Sequence, residues 1–215
     1  MKKIVCTVVL AALSAGFSSV ALSAGGGKAE AGYQGDAEAG KGKVAVCGAC
    51  HGGDGNSVAA MNPKLAGQGE KYLLKQLHDI NTGEREVAMM TGMLNNLTDH
   101  DLADIAAYFS SQVQTPGAAN SALIDLGEEI YRNGNHERGI AACMGCHGPA
   151  GKGNAPAGYP MIAGQHADYI ATQLRAFAEG QRINDGEGRA MRGVAERMNE
   201  NEIKAVASYI QGLRP

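Results

Sequence analysis

The feature that most constrains this chain is a short cluster of two cysteines and one histidine that occurs twice. Residues 47–51 read CGACH and residues 143–147 read CMGCH. C-x-x-C-H is the attachment signature of c-type haem, because two thiols at this spacing can each form a thioether to one vinyl group. The next residue is then placed to bind the iron. The repeat predicts two covalently bound haem c groups, attached through Cys47, Cys50, Cys143 and Cys146, with His51 and His147 as iron ligands.

Other uses of four cysteines explain this pattern less well. Two disulfides are the ordinary expectation for an extracytoplasmic chain, but they give no role to the two histidines. A four-cysteine zinc site also leaves both histidines idle. A thioredoxin-like redox pair needs a βαβ context that the sequence does not provide. The haem interpretation is therefore favoured over all three.

The first 24 residues have the three-part pattern of a secretory signal peptide. Two lysines precede an uncharged apolar run, and small residues follow as far as Ala24. An uncleaved membrane anchor is the alternative, but the serines and glycine at 14–19 weaken a membrane span. Cys6 lies in the segment to be removed and is given no role. The pattern predicts removal of residues 1–24 and a mature chain in the periplasm.

An internal repeat identifies a candidate for the remaining axial position on each iron. Residues 62–85 match 159–182 without a gap, and residues 90–109 match 191–210. In this alignment Met90 and Met191 are the pair that is methionine in both halves. A thioether is a soft ligand that favours ferrous iron, whereas a lone methionine is more often a core residue. Because the methionine recurs, we expect Met90 and Met191 to be iron ligands.

Two repeated prolines are candidates to orient the histidines. Pro63 and Pro160 follow their histidines by 12 and 13 positions, and their carbonyl oxygens could accept the second ring N–H. The alternative is that each is only a turn proline. The other histidines have no histidine counterpart in the opposite half, so we expect them to be solvated rather than coordinating: His78, His100, His136 and His166.

Repeated arginines and tyrosines are candidates for the outer parts of each haem site. Arg85 and Arg182 could pair with haem propionates through their planar guanidinium groups, or lie on the surface. Tyr72 and Tyr169 are expected on helices that face the haem pocket. These roles are less specific than those of the cysteines, histidines and methionines.

The spacing of apolar residues predicts an all-α chain. We find no convincing alternating strand pattern, and helical spacing recurs in both halves. Asp36 is expected to cap a helix that runs into Cys47. Two further helices are predicted at 71–81 and 168–178. Each half is also predicted to end in a helix, which begins after a capping box formed by Thr98 and Asp101 in the first half and by Asn199 and Glu202 in the second.

Composition and charge suggest two small domains and exclude some partners. A polar stretch at 111–122 contains a Pro-Gly break, which separates predicted domains at 25–115 and 116–215. Each half has few aromatic residues, so a buried porphyrin is expected to complete its core. No basic stripe indicates nucleic acid. The acidic excess lies mainly in residues 25–115 and could orient the molecule towards a partner.

Taken with the haem motifs, several matched stretches resemble a known family. PKLAGQ and IAGQ, MTGM and MRGV, and the terminal DIAAYFSSQ and AVASYIQGL are similar to those of dihaem cytochromes c of the c-four type, which are tandem class I cytochrome c domains. The resemblance covers essentially the whole mature chain. It implies two domains related by a pseudo-twofold axis, with haem propionate edges meeting at their interface. It also implies a periplasmic carrier that feeds a terminal oxidase, commonly of the cbb type.

Three functions are compatible with two haems. The favoured one is an electron carrier between a membrane respiratory complex and the oxidase, with possible loose association with the membrane. The second is a dihaem peroxidase-like enzyme, in which one iron opens a coordination position. The repeated methionine argues against it, since both halves keep the same ligand set. The third is the electron-transfer subunit of a dehydrogenase.

Overall fold

The described part of the chain is helical. The computed structural model describes residues 33–215, and the predicted signal peptide at 1–24, including Cys6, lies outside that range. Within it there is no strand, only isolated bridges between Asn135 and Ile140 and between Asn154 and Tyr159. No helix within 33–215 is long and apolar enough to cross a membrane. The α-helices are α1 (Ala37–Lys41), α2 (Ala45–His51), α3 (Glu70–Thr82), α4 (Asp99–Ser110), α5 (Ile124–Asn133), α6 (Met144–His147), α7 (Ala167–Ala178), α8 (Ala190–Ala195) and α9 (Glu200–Gly212), with 3₁₀ turns at Ala88–Met90 and Ser121–Leu123.

The two halves repeat one helical order, and the all-α prediction is confirmed. The helices predicted at 71–81 and 168–178 are α3 and α7, each one or two residues longer than predicted. Both predicted capping boxes are present: Thr98 and Asp101 exchange hydrogen bonds at the start of α4, and Asn199 and Glu202 do so at α9. Such reciprocal bonds satisfy two amide groups that a helix start leaves unpaired.

The first helix differs from the prediction. Asp36 caps it as expected, but the helix does not run into Cys47; α1 ends at Lys41 and α2 begins at Ala45. Gly42 follows α1, and glycine disfavours helix. Lys43, in the gap between the helices, is held by ion pairs with Asp101 and Asp104 of α4, both at 2.6 Å. The chain therefore bends to bring Lys43 to α4.

In each half the first helix packs closely against the last one at a glycine: α1 against α4, and α5 against α9. An added Cβ on Gly40 of α1 would lie 2.1 Å from the Asp104 carbonyl oxygen, and one on Gly127 of α5 would lie 2.4 Å from that of Ala205. Only a residue without a side chain permits this approach. Helix α5 was not predicted, although its buried residues Gly127, Ile130 and Tyr131 recur at helical spacing.

The apolar core consists of two separate clusters, one in each half. The first contains Val44, Leu73, Ile105, Ala106 and Phe109, from α3, α4 and the residue before α2. The second is larger and lies among α5, α7, α8 and α9, with Met191 packed against it. Neither cluster shares a residue with the other. The boundaries at 25–115 and 116–215 stay predictions.

The pairing of Lys43 with Asp101 should make stability depend on pH. The hydrogen bond from Lys43 and those from Thr98 lower the pKa of Asp101 to about 2, and the same pair raises the pKa of Lys43 to about 12. A lowered pKa in the folded state stabilises it above the unfolded pKa of about 4. We expect Asp101→Asn to lower the unfolding midpoint at pH 7, by an amount that shrinks below about pH 4 and vanishes near pH 2.

Thermal unfolding followed by circular dichroism across this pH range measures the effect. Glu137→Gln, a change at an exposed carboxylate, is the control and should leave the midpoint unchanged. A deficit in Asp101→Asn that persists undiminished at pH 2 would contradict the assignment.

Candidate functional site

The two cysteine clusters lie on short helices that end at the histidine. Cys47 and Cys50 lie on α2, and Cys143 is the residue before α6, which carries Cys146. All four are free thiols, so the disulfide interpretation is wrong for this structure. In each cluster the first thiol is half-buried and the second is exposed. One helical turn therefore presents two thiols and a histidine together.

The first thiol of each cluster is not activated as a redox nucleophile. Burial raises the pKa of the Cys47 thiol and raises that of Cys143 to about 11. A reactive dithiol needs a lowered pKa, since the thiolate is the nucleophile. The described residues also contain no group of three or more histidine, cysteine, aspartate or glutamate side chains placed to hold a metal ion, as a four-cysteine zinc site would require. Attachment to a ligand is the chemistry left for these cysteines.

Both histidines are buried and oriented by a proline carbonyl. His51 Nδ1 lies 2.9 Å from the Pro63 oxygen, and His147 Nδ1 lies 2.9 Å from the Pro160 oxygen. A carbonyl only accepts, so Nδ1 carries the proton and Nε2 keeps its lone pair for a metal. Burial lowers the pKa of both imidazoles, against the opposing effect of the proline bond. The structure confirms the predicted proline contacts, and the neutral ring suits iron ligation.

The backbone leaves each helix immediately after the histidine. Gly52 and Gly148 occupy that position with φ of 80° and 77°. Glycine adopts this region without the steric penalty that other residues have. The chain can therefore turn from the histidine towards the segment that contains Pro63 or Pro160.

The candidate methionines occupy different local structures. Met90 ends the 3₁₀ turn Ala88–Met90 and is half-buried, whereas its neighbours Met89 and Met93 are 81% and 42% exposed. Met191 lies in the first turn of α8 and packs against the second core cluster. The exposure of Met89 agrees with the choice of Met90 from the repeat. Iron ligation by Met90 and Met191 stays a prediction.

The remaining histidines, all predicted to be solvated, have different surroundings in the structure. His136 is exposed, as expected. His78 Nδ1 lies 3.6 Å from an Asp99 carboxylate oxygen. His100 stacks on the Tyr33 ring. His166 differs most, because its Nε2 hydrogen-bonds to the Ser57 carbonyl of the other half at 2.8 Å. It joins the two halves and is not simply solvated.

Arg182 crosses from the second half to the first. Its guanidinium donates to the Tyr72 hydroxyl at 3.1 Å and to Gln76 Oε1 at 2.9 Å, both on α3. It also donates to Gln173 of its own half at 2.7 Å and lies over the Phe177 ring. Only 8% of Arg182 is exposed, so the surface alternative is wrong for this arginine.

Arg85 makes the corresponding contacts in the other direction. It donates to the Tyr169 hydroxyl at 2.9 Å and to Gln173 Oε1 at 3.1 Å, both on α7, and to Gln76 of its own half at 2.8 Å. Exchanging the halves converts one set of bonds into the other, which is the pattern of a pseudo-twofold axis. Pairing of either arginine with a haem propionate stays a prediction.

A second reciprocal pair of contacts was missed by the sequence analysis. Gln68 donates to the Met161 carbonyl and accepts from the Met161 amide, both at 2.8 Å. Gln165 makes the same two bonds to the backbone of Lys64, at 2.8 and 2.9 Å. The signal was present, since both glutamines occur at one position of the repeat and a repeated polar residue that becomes buried needs a partner.

The residues of each half fit a c-type haem. Two free thiols lie one turn apart, the adjacent imidazole is neutral with Nε2 available, and an apolar cluster adjoins each motif. Cys47 and Cys143 are among the side chains packed against these clusters. The arrangement can hold a planar apolar group covalently and bind its metal on the histidine side.

Comparisons with known proteins match both halves. The Cytochrome c family model matches residues 37–112 and 124–214. A cytochrome c4 of Azotobacter vinelandii is 56% identical over 188 residues, which cover 83% of this chain and 90% of that protein. The crystal structure of reduced recombinant cytochrome c4 from Pseudomonas stutzeri is similar with a TM-score of 0.83 and 57% identity, covering 84% of this chain and all of that one. A thiosulfate dehydrogenase electron acceptor of Stutzerimonas stutzeri (strain A1501) is 36% identical, covering 76% of this chain and 77% of that protein.

The arginine contacts between the halves should contribute to stability. We expect Arg182→Met to lower the free energy of unfolding by about 1–3 kcal/mol, because it removes the donor to the buried Tyr72 hydroxyl, whereas Gln76 and Gln173 still accept from Arg85. Arg85→Met should act similarly, since its contacts correspond. Denaturant unfolding of the haem-containing protein measures both. Arg132→Met, which removes an exposed ion pair with Glu128, is the control and should leave stability unchanged. Equal losses at Arg132 and Arg182 would contradict the prediction.

Proposed function

The chain belongs to the cytochrome c family, as a dihaem cytochrome c4, and from that membership we propose that it is a periplasmic carrier that delivers electrons to a terminal oxidase of the cbb type. It is an electron carrier and not an enzyme, and its cofactors are two haem c groups. The peroxidase-like alternative is therefore wrong. The proposed electron donor is a membrane respiratory complex, with loose association of the carrier with the membrane.

The residue assignments are part of the proposal. Cys47 and Cys50 attach the first haem and Cys143 and Cys146 the second; His51 with Met90, and His147 with Met191, are the axial pairs. A bound haem supplies an iron that alternates between the ferric and ferrous states. The chain supplies the rest: the Pro63 and Pro160 carbonyls fix the imidazoles, and burial of both rings excludes water from them.

The observation that carries the proposal is the equivalence of the two histidine sites. Each ring is buried and each makes a 2.9 Å bond to a proline carbonyl at the matching position of the repeat. An electron carrier needs each iron to keep its ligands in both oxidation states, so that little rearranges on transfer. Two equally oriented histidines, each with a methionine at the matching position of the repeat, would give both irons the same stable pair of ligands. A division into one relay site and one reaction site would favour two different ligand sets.

The proposed route to the periplasm rests on the N-terminal pattern. Residues 1–24 are predicted to be a signal peptide, and covalent attachment keeps a haem from being lost in a dilute compartment. Periplasmic extracts of a native host should contain the protein with a mature N-terminus after Ala24. A full-length chain retained in the membrane after a salt wash would instead support an uncleaved anchor.

A second candidate has a specific observation in its favour. A relative named thiosulfate dehydrogenase electron acceptor is 36% identical over 168 residues. The chain could accept electrons from a dehydrogenase of that kind and not from a membrane complex. This proposal corresponds to the third function considered from the sequence.

Rapid kinetics with two partners separates the candidates. The reduced protein is mixed with membranes that contain a cbb oxidase, and the oxidised protein with thiosulfate dehydrogenase and thiosulfate. Fast oxidation by the membranes with no reduction by the dehydrogenase is expected. Fast reduction by the dehydrogenase without oxidation by the membranes would replace the first proposal by the second.

The methionine assignments make a separate prediction. Met90→Ala should open the first iron to carbon monoxide and lower its potential, because a thioether stabilises ferrous iron. Met191→Ala should do the same at the second iron. Carbon monoxide binding and potentiometric titration measure both effects. Met89→Ala is the matched control, since Met89 is 81% exposed, and it should change neither property. Unchanged potential and no carbon monoxide binding after Met90→Ala or Met191→Ala would remove that methionine from the ligand assignment.

A further inference from the structure

We propose that Asp185 and Arg192 form a positioning pair that holds Met191 and has no equivalent beside Met90. The inference rests on the proposed role of both methionines as iron ligands. It adds a functional difference between two halves that the repeat makes look alike. The second methionine is held in place, and the first is the more easily displaced.

The pair is tied to the residue next to Met191 at both backbone and side chain. Asp185 Oδ2 accepts the Arg192 backbone N–H at 2.9 Å, and Oδ1 accepts from Arg192 Nε at 2.6 Å. The Arg192 guanidinium also donates to the Gly186 carbonyl at 3.2 Å. The Asp185 side chain is 3% exposed and that of Arg192 is 17% exposed. A buried carboxylate with two donors is a rigid attachment.

Asp185 caps the start of α8 in place of the N-cap residue. Arg189 is the N-cap residue of α8 and makes no side-chain cap bond. It has φ of 48°, an uncommon conformation for a residue other than glycine. The first amides of a helix have no partner within it, and a carboxylate there is favourable. Asp185 satisfies the amide of Arg192, the third residue of α8, and so stabilises the turn that contains Met191.

A helix as short as α8 depends on such contacts. It has six residues, Ala190–Ala195, and helices of this length are not stable alone. Packing of Met191 against the second core cluster supplies one constraint, and the bond from the next residue, Arg192, to the Asp185 carboxylate supplies another. Loss of the carboxylate would leave the methionine attached to a turn that frays.

The first half has no such pair. Thr91 aligns with Arg192 and is exposed. The segment between the repeated arginine and the methionine is four residues shorter there, and the Thr91 amide donates to the Ala88 carbonyl at 3.3 Å and not to a carboxylate. Met90 is held only by backbone bonds to near neighbours: its amide donates to the Val87 carbonyl at 2.8 Å, and its carbonyl accepts from the Met93 amide at 3.0 Å.

The consequence is unequal displacement of the two methionines by an added ligand. Imidazole competes with a thioether for ferric iron, and it binds only when the methionine moves away. We expect imidazole to bind the first haem about tenfold more tightly than the second, the factor that corresponds to one capping interaction. Asp185→Ala should raise affinity at the second haem about tenfold and leave the first unchanged.

The test is an imidazole titration of the ferric holoprotein followed by proton NMR. Hyperfine-shifted methyl signals report each bound methionine, and Met90→Ala and Met191→Ala assign them. Asp185→Asn retains an oxygen for the Arg192 amide but loses the charge, so it should give a smaller rise and replaces Asp185→Ala if that variant yields no holoprotein. Glu200→Ala, which breaks an exposed ion pair with Arg175 in the same half, is the control and should change neither affinity.

The outcomes distinguish failure of the pair from failure of the ligand assignment. Unchanged affinity at the second haem in the Asp185 variants would overturn the positioning role, as would an equal rise at both haems, which indicates general destabilisation. If Met191→Ala leaves its methyl signal in place, the ligand assignment itself is wrong, and the inference falls with it. A rise confined to the second haem establishes the pair.

Discussion

The hydrogen bond from each histidine to a proline carbonyl is the constraint on which the site depends. It fixes the tautomer of a buried ring, directs Nε2 away from the bond, and ties the end of α2 or α6 to the segment 12 or 13 residues later. Burial favours the neutral imidazole, which is the form that binds iron. Without that bond the C-x-x-C-H helix would still present two thiols, but the ligand beside them could rotate.

The contacts between the halves suit a carrier with two redox centres. Electron transfer within one chain needs a fixed separation, and reciprocal bonds from two glutamines and two arginines join the halves at backbone and side chain. Because the same residues act from both sides, one duplicated sequence provides a complete interface. His166 adds a contact to Ser57 on one side only. The glutamine and arginine contacts are therefore equivalent in the two halves, whereas the His166 contact and the surroundings of the methionines differ.

The departures from the sequence predictions have a common cause in packing. The first helix breaks because Lys43 pairs with Asp101 and Asp104, which are distant in sequence. The apolar spacing of α5 was present in the sequence, but its close approach to α9 at Gly127 and Ala205 depends on the tertiary structure. Arg182 was left between propionate pairing and the surface, and its contacts across the interface with Tyr72 and Gln76 were not foreseen. Each outcome depends on a residue from another part of the chain, and the periodicity of one segment carries no information about it.

The sequence by itself determined the helical class, the two haem motifs and the repeated methionine, because each depends on residue types at short, fixed spacing. The proline carbonyls were also within reach, since the repeat placed them at nearly equal distances from the histidines. Only the tertiary structure decided which repeated polar residues cross between the halves, since a hydrogen bond between distant segments requires their relative position. It likewise brought the Asp185 carboxylate to the Arg192 amide and guanidinium, because that contact depends on the path of the loop between them.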